Sequence, residues 1–359
     1  MTFLSPERVV ALPMEPRRIL LIRLKGIGDV VLSTPLFRAL KKRFPSAQID
    51  LVTRSFCVPI VRHNPYLDRV IVYPEKPASL AQMSRFVRRL RQEQYDWAVD
   101  LAAEPRSAWL TFFTGAPLRA GYAFHYRQWA FNRRIPKNQI RKYQAEVNLD
   151  IIRALGVPDQ GNQTEIYLDQ EDYVLADRYF VQRGVRDLKS RIGLNPTGTW
   201  PSKRWPIAHW KKLIQMINEQ LGVKPILMGG PDDQELIGTI RNGFENSTWV
   251  MPETTLSQAA AFVSRLDLLI GNDGTPQHFA QAFGVKSLTL CGPHWGMSWT
   301  RPGDIRHRYL QHFLDCGPCD LNVCPFPTQP SVGEQIHQEC LLKITPKNVF
   351  DVAKEILAC

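Results

Sequence analysis

No stretch of this 359-residue chain approaches the roughly 18 consecutive apolar residues that a membrane-spanning helix requires. The opening segment, Met1 to Arg18, mixes Pro, Glu and Arg without a continuous apolar run. A secretory signal is therefore not expected, and the chain reads as cytoplasmic. Cysteine is scarce: seven residues in a chain with no sign of secretion do not make a disulfide scaffold. No Asp-x-Asp pair stands at a predicted strand end, so nothing in the sequence requires a cofactor metal for catalysis. Low-complexity tracts and short internal repeats are missing too.

Positive charge is abundant. Lys and Arg number 45 against 34 Asp and Glu, a net charge of +11. Such an excess attracts polyanions: nucleic acid, anionic lipid headgroups or phosphorylated sugars. The basic residues fall in groups, Lys41-Lys42-Arg43, then Arg85, Arg88, Arg89 and Arg91, then Arg133-Arg134 with Arg141-Lys142. All lie in the first half. They read as an anionic-acceptor or membrane-facing surface, the alternative being a solvated charged face. They are not interleaved with aromatics in a nucleic-acid motif, so no nucleic-acid partner is expected.

The length exceeds what one hydrophobic core usually supports, which predicts two domains. Short β-branched runs alternate with amphipathic stretches, the pattern of parallel sheets with crossover helices. In the first half, strands are expected at Arg18–Leu24, Gln48–Thr53, Arg69–Tyr73 and Trp97–Leu101, with helices at Val30–Phe44, Leu80–Gln94 and Ala145–Leu155. The polar stretch Gly161–Ser190 holds the expected boundary, dividing the chain into 1–185 and 186–359. A second series follows. Its expected strands are Arg191–Asn195, Pro225–Met228, Leu268–Gly271 and Ser287–Cys291, and its last helix is Pro346–Ala358. The predicted class is α/β, two doubly wound Rossmann-like halves in tandem.

Ligands of such sheets bind beyond the carboxyl ends of the strands. After the first strand comes Leu24-Lys25-Gly26-Ile27-Gly28-Asp29-Val30. It is no dinucleotide fingerprint, because Val31 takes the third glycine position, and it lacks the Lys-Ser/Thr ending of a P-loop. What it offers is bare backbone at Gly26 and Gly28, and a carboxylate at Asp29. That residue suits a general base or a plain helix N-cap. A second loop, Gly271-Asn272-Asp273-Gly274-Thr275-Pro276-Gln277-His278, ends a strand and opens a helix. Amides around Gly274 and Thr275 suit a diphosphate, and His278 is either a ligand contact or a packed core histidine. Between them, Thr197, Thr199, Lys203 and Arg204 offer hydroxyls and cations to a phosphate.

Taken in order, these segments resemble glycosyltransferase family 9, the lipopolysaccharide heptosyltransferases. The resemblance runs through Ile19–Pro35, Asn64–Asp68, Gly193–Pro206, Gly229–Asp232, Asn272–His278 and Gly292-Pro293. It implies a GT-B fold with an acceptor-binding first domain, a donor-binding second domain and the active site in the cleft. It also implies inverting transfer of heptose from ADP-heptose to the inner core of lipopolysaccharide at the inner face of the cytoplasmic membrane. By position, Asp29 matches the family's catalytic base, and Lys203 the lysine that holds the donor diphosphate. Asp273, Gly274, Thr275 and His278 match the donor loop. Asp232 or Glu235 matches the ribose contact. Arg106, Arg133, Arg134 and Arg141, with Gly26 and Gly28, are the expected acceptor contacts.

Four cysteines, Cys316, Cys319, Cys324 and Cys340, cluster late in the chain. They suit a structural Zn or Fe, or reduced thiols packing a loop. Other readings stay open: a family member with another nucleotide sugar or a protein acceptor, a non-catalytic basic nucleotide- or nucleic-acid-binding protein, and a dehydrogenase.

Overall fold

A computed structural model describes residues 15–75, 79–123, 127–136, 141–185, 191–325 and 339–359. The chain divides into two compact units, Met1–Tyr167 and Leu168–Cys359. The boundary expected at 185/186 abuts the segment 186–190, and the opening segment read as lacking a signal overlaps 1–14; both segments lie outside the described residues.

The first unit runs β1 (Arg18–Arg23), α1 (Ile27–Val31), α2 (Thr34–Arg43), β2 (Gln48–Thr53), α3 (Val58–Val61) and β3 (Arg69–Val72). It continues with α4 (Leu80–Gln92), β4 (Trp97–Asp100), α5 (Pro105–Phe113), β5 (Leu118–Tyr122), β6 (Arg133–Ile135) and α6 (Gln144–Arg153). All six strands are parallel, in the order β3-β2-β1-β4-β5-β6. A sheet covered on both faces must be apolar on both, and β1 shows it. Ile19 and Leu21 face a core with Phe37 and Leu40 of α2 and Leu149 and Ile152 of α6. The alternate residues Leu20 and Ile22 face Leu90 of α4 and Leu110 of α5.

The second unit runs α7 (Gln170–Gln182), β7 (Ile192–Asn195), α8 (Ile207–Leu221), β8 (Ile226–Leu227), α9 (Gln234–Arg241), β9 (Trp249–Val250) and α10 (Leu256–Val263). Then come β10 (Leu268–Asn272), α11 (Thr275–Phe283), β11 (Lys286–Cys291), α12 (Gly296–Trp299), β12 (His307–Gln311), α13 (Glu339–Leu342) and α14 (Pro346–Ala358). The sheet order is β12-β11-β10-β7-β8-β9, again all parallel. Read from the other edge and renumbered within the unit, this is the same topology as the first sheet. Leu194, Ile270 and Leu288 pack under Trp210 and Leu213 of α8 and Phe350 of α14.

Three expectations need correction. The single helix over Val30–Phe44 is two helices, α1 and α2. Pro35 sits in the first turn of α2 and has no N–H for the carbonyl of Val31. The Thr34 hydroxyl donates to that carbonyl instead, at 2.8 Å. The polar stretch Gly161–Ser190 contains α7, whose Tyr179 and Phe180 rings pack on Phe262 of α10 with centroids 5.0 Å apart. Strands β5, β6, β9 and β12 were not expected. β5 carries a glycine, Gly121, because the Phe131 ring lies where a Cβ would be, 2.6 Å away. β6 reads as a basic group, not as a strand.

Candidate active site

In sheets of this order the crevice opens where the crossovers change direction, between β1 and β4 in one unit and between β7 and β10 in the other. The loops singled out from the sequence leave those strands.

In the first unit, β1 ends in Arg23, which is buried at 2% exposure. Its Nη2 donates to Asp29 Oδ1 at 2.8 Å, its Nε approaches the Asp29 carbonyl at 3.3 Å, and its Nη1 donates to the carbonyl of Leu101, just past β4. The side chain thus ties the β1 and β4 loops together across the switch point. Asp29 does not cap α1: the N-cap is Gly26, with no side-chain cap bond. The carboxylate is 22% exposed, with Oδ2 lying over Gly26, 3.7 Å from where a Cβ would stand. Gly28 is in the first turn of α1. Beside this group, at the end of β4, Asp100 is buried. Its carboxylate accepts from the amides of Ala102 and Ala103 and the hydroxyl of Ser107, and burial still pushes it up to about 6.

The second unit builds a denser cluster. Asn272, the last residue of β10, donates to the carbonyls of Pro196 (2.7 Å) and Thr197 (3.2 Å) and accepts from the Trp205 amide (3.1 Å). It thereby locks the loop after β7 onto the end of β10. Gly271 makes this possible, since a Cβ there would stand 2.9 Å from the Asn195 Cβ. Asp273 follows, 6% exposed, with Oδ2 2.8 Å from Lys203 Nζ and 3.0 Å from His294 Nδ1. Burial opposes ionisation of Asp273, but the His294 hydrogen bond and the Lys203 charge outweigh it and hold the carboxyl well below the usual carboxylate range. Lys203 Nζ also lies 5.0 Å over the Trp200 ring, whose edge meets His294. The ammonium is therefore fixed on two sides and 15% exposed.

Directly after Asp273, Gly274 is the N-cap of α11 in extended conformation and Thr275 its first residue. The free amides of a helix start attract an anion. Beside them the Asn195 amide nitrogen is buried with no hydrogen-bond partner, a donor left over at the place where a phosphate would accept. Thr197 donates its hydroxyl to Asn195 Oδ1 at 2.9 Å. His278 is buried in α11 with Trp299 at 6.0 Å. Thr199 is exposed on the β7 loop. Asp232 and Glu235 are both exposed after β8, on the same edge of the sheet, while the neighbouring Asp233 accepts from the Gly230 amide.

The structure thus gathers Lys203, Asp273, Gly274 and Thr275, and adds His294, which the sequence did not single out. A lone histidine after Gly292-Pro293 carries no spacing that ties it to Lys203; only the fold does. The expected acceptor arginines are dispersed. Arg106 is exposed in the first turn of α5, and Arg133 and Arg134 alternate along β6, which sends them to opposite faces. Arg141 is exposed ahead of α6.

Cys316, Cys319, Cys324 and Cys340 line one cavity of about 530 Å³ with His312 and Glu339. Burial pushes the Cys340 thiol up to about 11, and the three neighbouring thiols add to the effect. Among the described residues, no three His, Cys, Asp or Glu side chains converge as a ligand set.

Two Rossmann-like units in tandem, each with an all-parallel sheet of this strand order, are the building blocks of the GT-B fold. The crystal structure of a family 9 glycosyltransferase from Veillonella parvula covers 95% of this chain and 97% of its own, with a TM-score of 0.77 at 23% identity. The ADP-heptose lipopolysaccharide heptosyltransferase II of Escherichia coli superposes over 95% of the chain with a TM-score of 0.74. Residues 83–328 match glycosyltransferase family 9 (heptosyltransferase), and the chain belongs to that family. In sequence it is 28% identical to lipopolysaccharide heptosyltransferase 2 of Salmonella typhimurium over 84% of the chain and 95% of that relative. It is 26% identical to lipopolysaccharide heptosyltransferase 3 of Escherichia coli over 83% of the chain and 93% of that relative.

Proposed function

We propose that this glycosyltransferase moves heptose from ADP-heptose onto the inner core of lipopolysaccharide, with inversion at the anomeric carbon. The observation that carries the reading is the fixed Lys203 ammonium beside the amides at the start of α11. Negative charge grows on the diphosphate as the sugar departs, and a preorganised cation with helix-start amides stabilises it where it grows. Asp29 supplies the other half. As the acceptor hydroxyl oxygen bonds to the anomeric carbon, its proton passes to the Asp29 carboxylate, and the bond to the diphosphate breaks with its electron pair leaving on ADP. Arg23 fixes the aim of that carboxylate.

ADP-heptose and lipopolysaccharide are the donor and acceptor named for the relatives, and the basic first unit suits a phosphorylated, Kdo-bearing acceptor, although Arg106, Arg133, Arg134 and Arg141 do not meet on one face. Catalysis in this reading needs no metal, and the cysteine cavity is a structural element whose thiols, among the described residues, are not arranged to hold a Zn or Fe ion. No helix among the described residues is long and apolar enough to cross a membrane. The acceptor is met at the inner face of the cytoplasmic membrane by peripheral association.

The test is product analysis with a truncated inner-core acceptor, offering ADP-heptose against UDP-glucose and other nucleotide sugars. Heptosylated product from ADP-heptose alone supports the reading. Transfer only from another donor overturns the sugar assignment.

A further inference from the structure

Helix α5 turns large apolar side chains outward. Ser107, Ala108, Leu110 and Thr111 are its buried residues, while Trp109, Phe112 and Phe113 are 52%, 40% and 43% exposed. Trp129, in the 3-10 turn Gln128–Ala130, joins them at 39% exposure. The four rings touch. Trp109 and Trp129 have centroids 4.4 Å apart, Trp109 stacks on Phe113 at 5.5 Å, and Phe112 meets Trp129 at 5.2 Å. A continuous aromatic patch of this kind on a surface marks an interaction site, whereas single exposed rings do not.

Its surroundings say what covers it. Residues 104–136 contain five arginines and one acidic residue, Glu104, which is engaged in the capping box of α5. Arg106 stands exposed one turn before Trp109, and Arg119 lies 5.7 Å over the Phe112 ring. Arg134 bonds to the carbonyl of Gln128, beside Trp129. At the far end of α5, Arg91 reaches the turn at Gly115. It belongs to α4, which carries Arg85, Arg88, Arg89 and Arg91 and no acid. A second copy of the chain would bring this cationic rim against itself. A bilayer with anionic headgroups matches both features: Trp and Phe settle at the headgroup–acyl boundary while guanidinium groups stay among the phosphates.

We propose that the α5–Trp129 face seats the protein on an anionic phospholipid bilayer. The inference rests on the membrane-bound acceptor of the functional reading and names the surface that reaches it.

The test compares the wild-type protein with Trp109→Ser/Phe113→Ser and with Arg88→Ser/Arg89→Ser in sedimentation with phosphatidylcholine vesicles, with and without phosphatidylglycerol. All of these positions are exposed, and unfolding curves check that each variant is folded. The expected result is wild-type binding that needs phosphatidylglycerol and weakens with salt, reduced about tenfold or more in both variants. Transfer to a deacylated, water-soluble acceptor stays at the wild-type rate, and transfer to a vesicle-embedded acceptor falls. Equal vesicle binding by wild type and variants overturns the proposal. So does a wild-type dimer that the aromatic variant dissociates, which would make a second copy the occupant. If patch-dependent vesicle binding persists while neither acceptor is glycosylated, the functional reading fails and the docking surface stands.

Discussion

The buried guanidinium of Arg23 holds one oxygen of Asp29 at 2.8 Å and reaches past it to the carbonyl of Leu101. One side chain therefore fixes both the aim of the proposed base and the join between the β1 and β4 loops. An acid whose only task was to cap α1 would not need this partner, and α1 has no side-chain cap bond. Arg23→Gln is expected to lower kcat about 10- to 100-fold through misorientation while leaving the Kd for ADP unchanged. An unaltered kcat in the folded variant would show that the pair is structural only.

In the second unit the same logic applies to Lys203. Lys203→Ala is expected to weaken ADP binding about 10- to 100-fold, the usual worth of a charge-assisted contact to phosphate. It also leaves the buried Asp273 carboxylate with His294 alone, one hydrogen-bond partner short, and lowers stability by about 1–3 kcal/mol. Adding Asp273→Asn should restore much of that stability without restoring ADP affinity. Calorimetry for ADP and urea unfolding read the two effects separately, and additive losses in stability would contradict the coupling.

Asp100 gives the fold a specific pH dependence. Its folded pKa of about 6 stands above the unfolded value of about 3.9, so the native state holds the proton more tightly. That contribution is present below about pH 4 and lost as pH rises through about 6. Between about pH 4.5 and about pH 7.5 the wild type should lose roughly 2 kcal/mol relative to Asp100→Asn. Parallel stability profiles for the two proteins would contradict the assignment.

The cysteine cavity offers a separate check. Prolonged treatment with a strong chelator is expected to leave the transfer rate with ADP-heptose unchanged. Elemental analysis of the untreated protein reports any Zn or Fe that the cavity holds. A rate that collapses with the chelator and returns with a divalent cation would overturn metal-free catalysis.

Much of this architecture was legible because parallel strands are written as short apolar runs followed by loops. Gln48–Thr53 and Pro346–Ala358 fall where their patterns place them. The break between α1 and α2 escaped the periodicity because Leu36, Leu40 and Phe44 continue the apolar stripe, and only the missing N–H of Pro35 divides it. β6 is three residues of which two are arginine, so neither length nor alternation announces a strand. Helix α5 has no place in the expected series, and its outward rings become visible only once it is packed against β4. In the site, Asp29 and Lys203 are legible from loop position, and Asp273 from the family resemblance. Arg23 and His294 are not, since a strand-end arginine and an isolated histidine acquire meaning from partners that the sequence does not place beside them.

The measurement that tests the central claim most directly is transfer of heptose from ADP-heptose to a truncated inner-core acceptor by the wild type and by Asp29→Asn. The substitution keeps size and folding but removes the proton acceptor. Transfer reduced by about 100-fold or more, with ADP still bound at wild-type affinity, is the predicted result. A variant that transfers heptose at the wild-type rate would show that Asp29 is not the base.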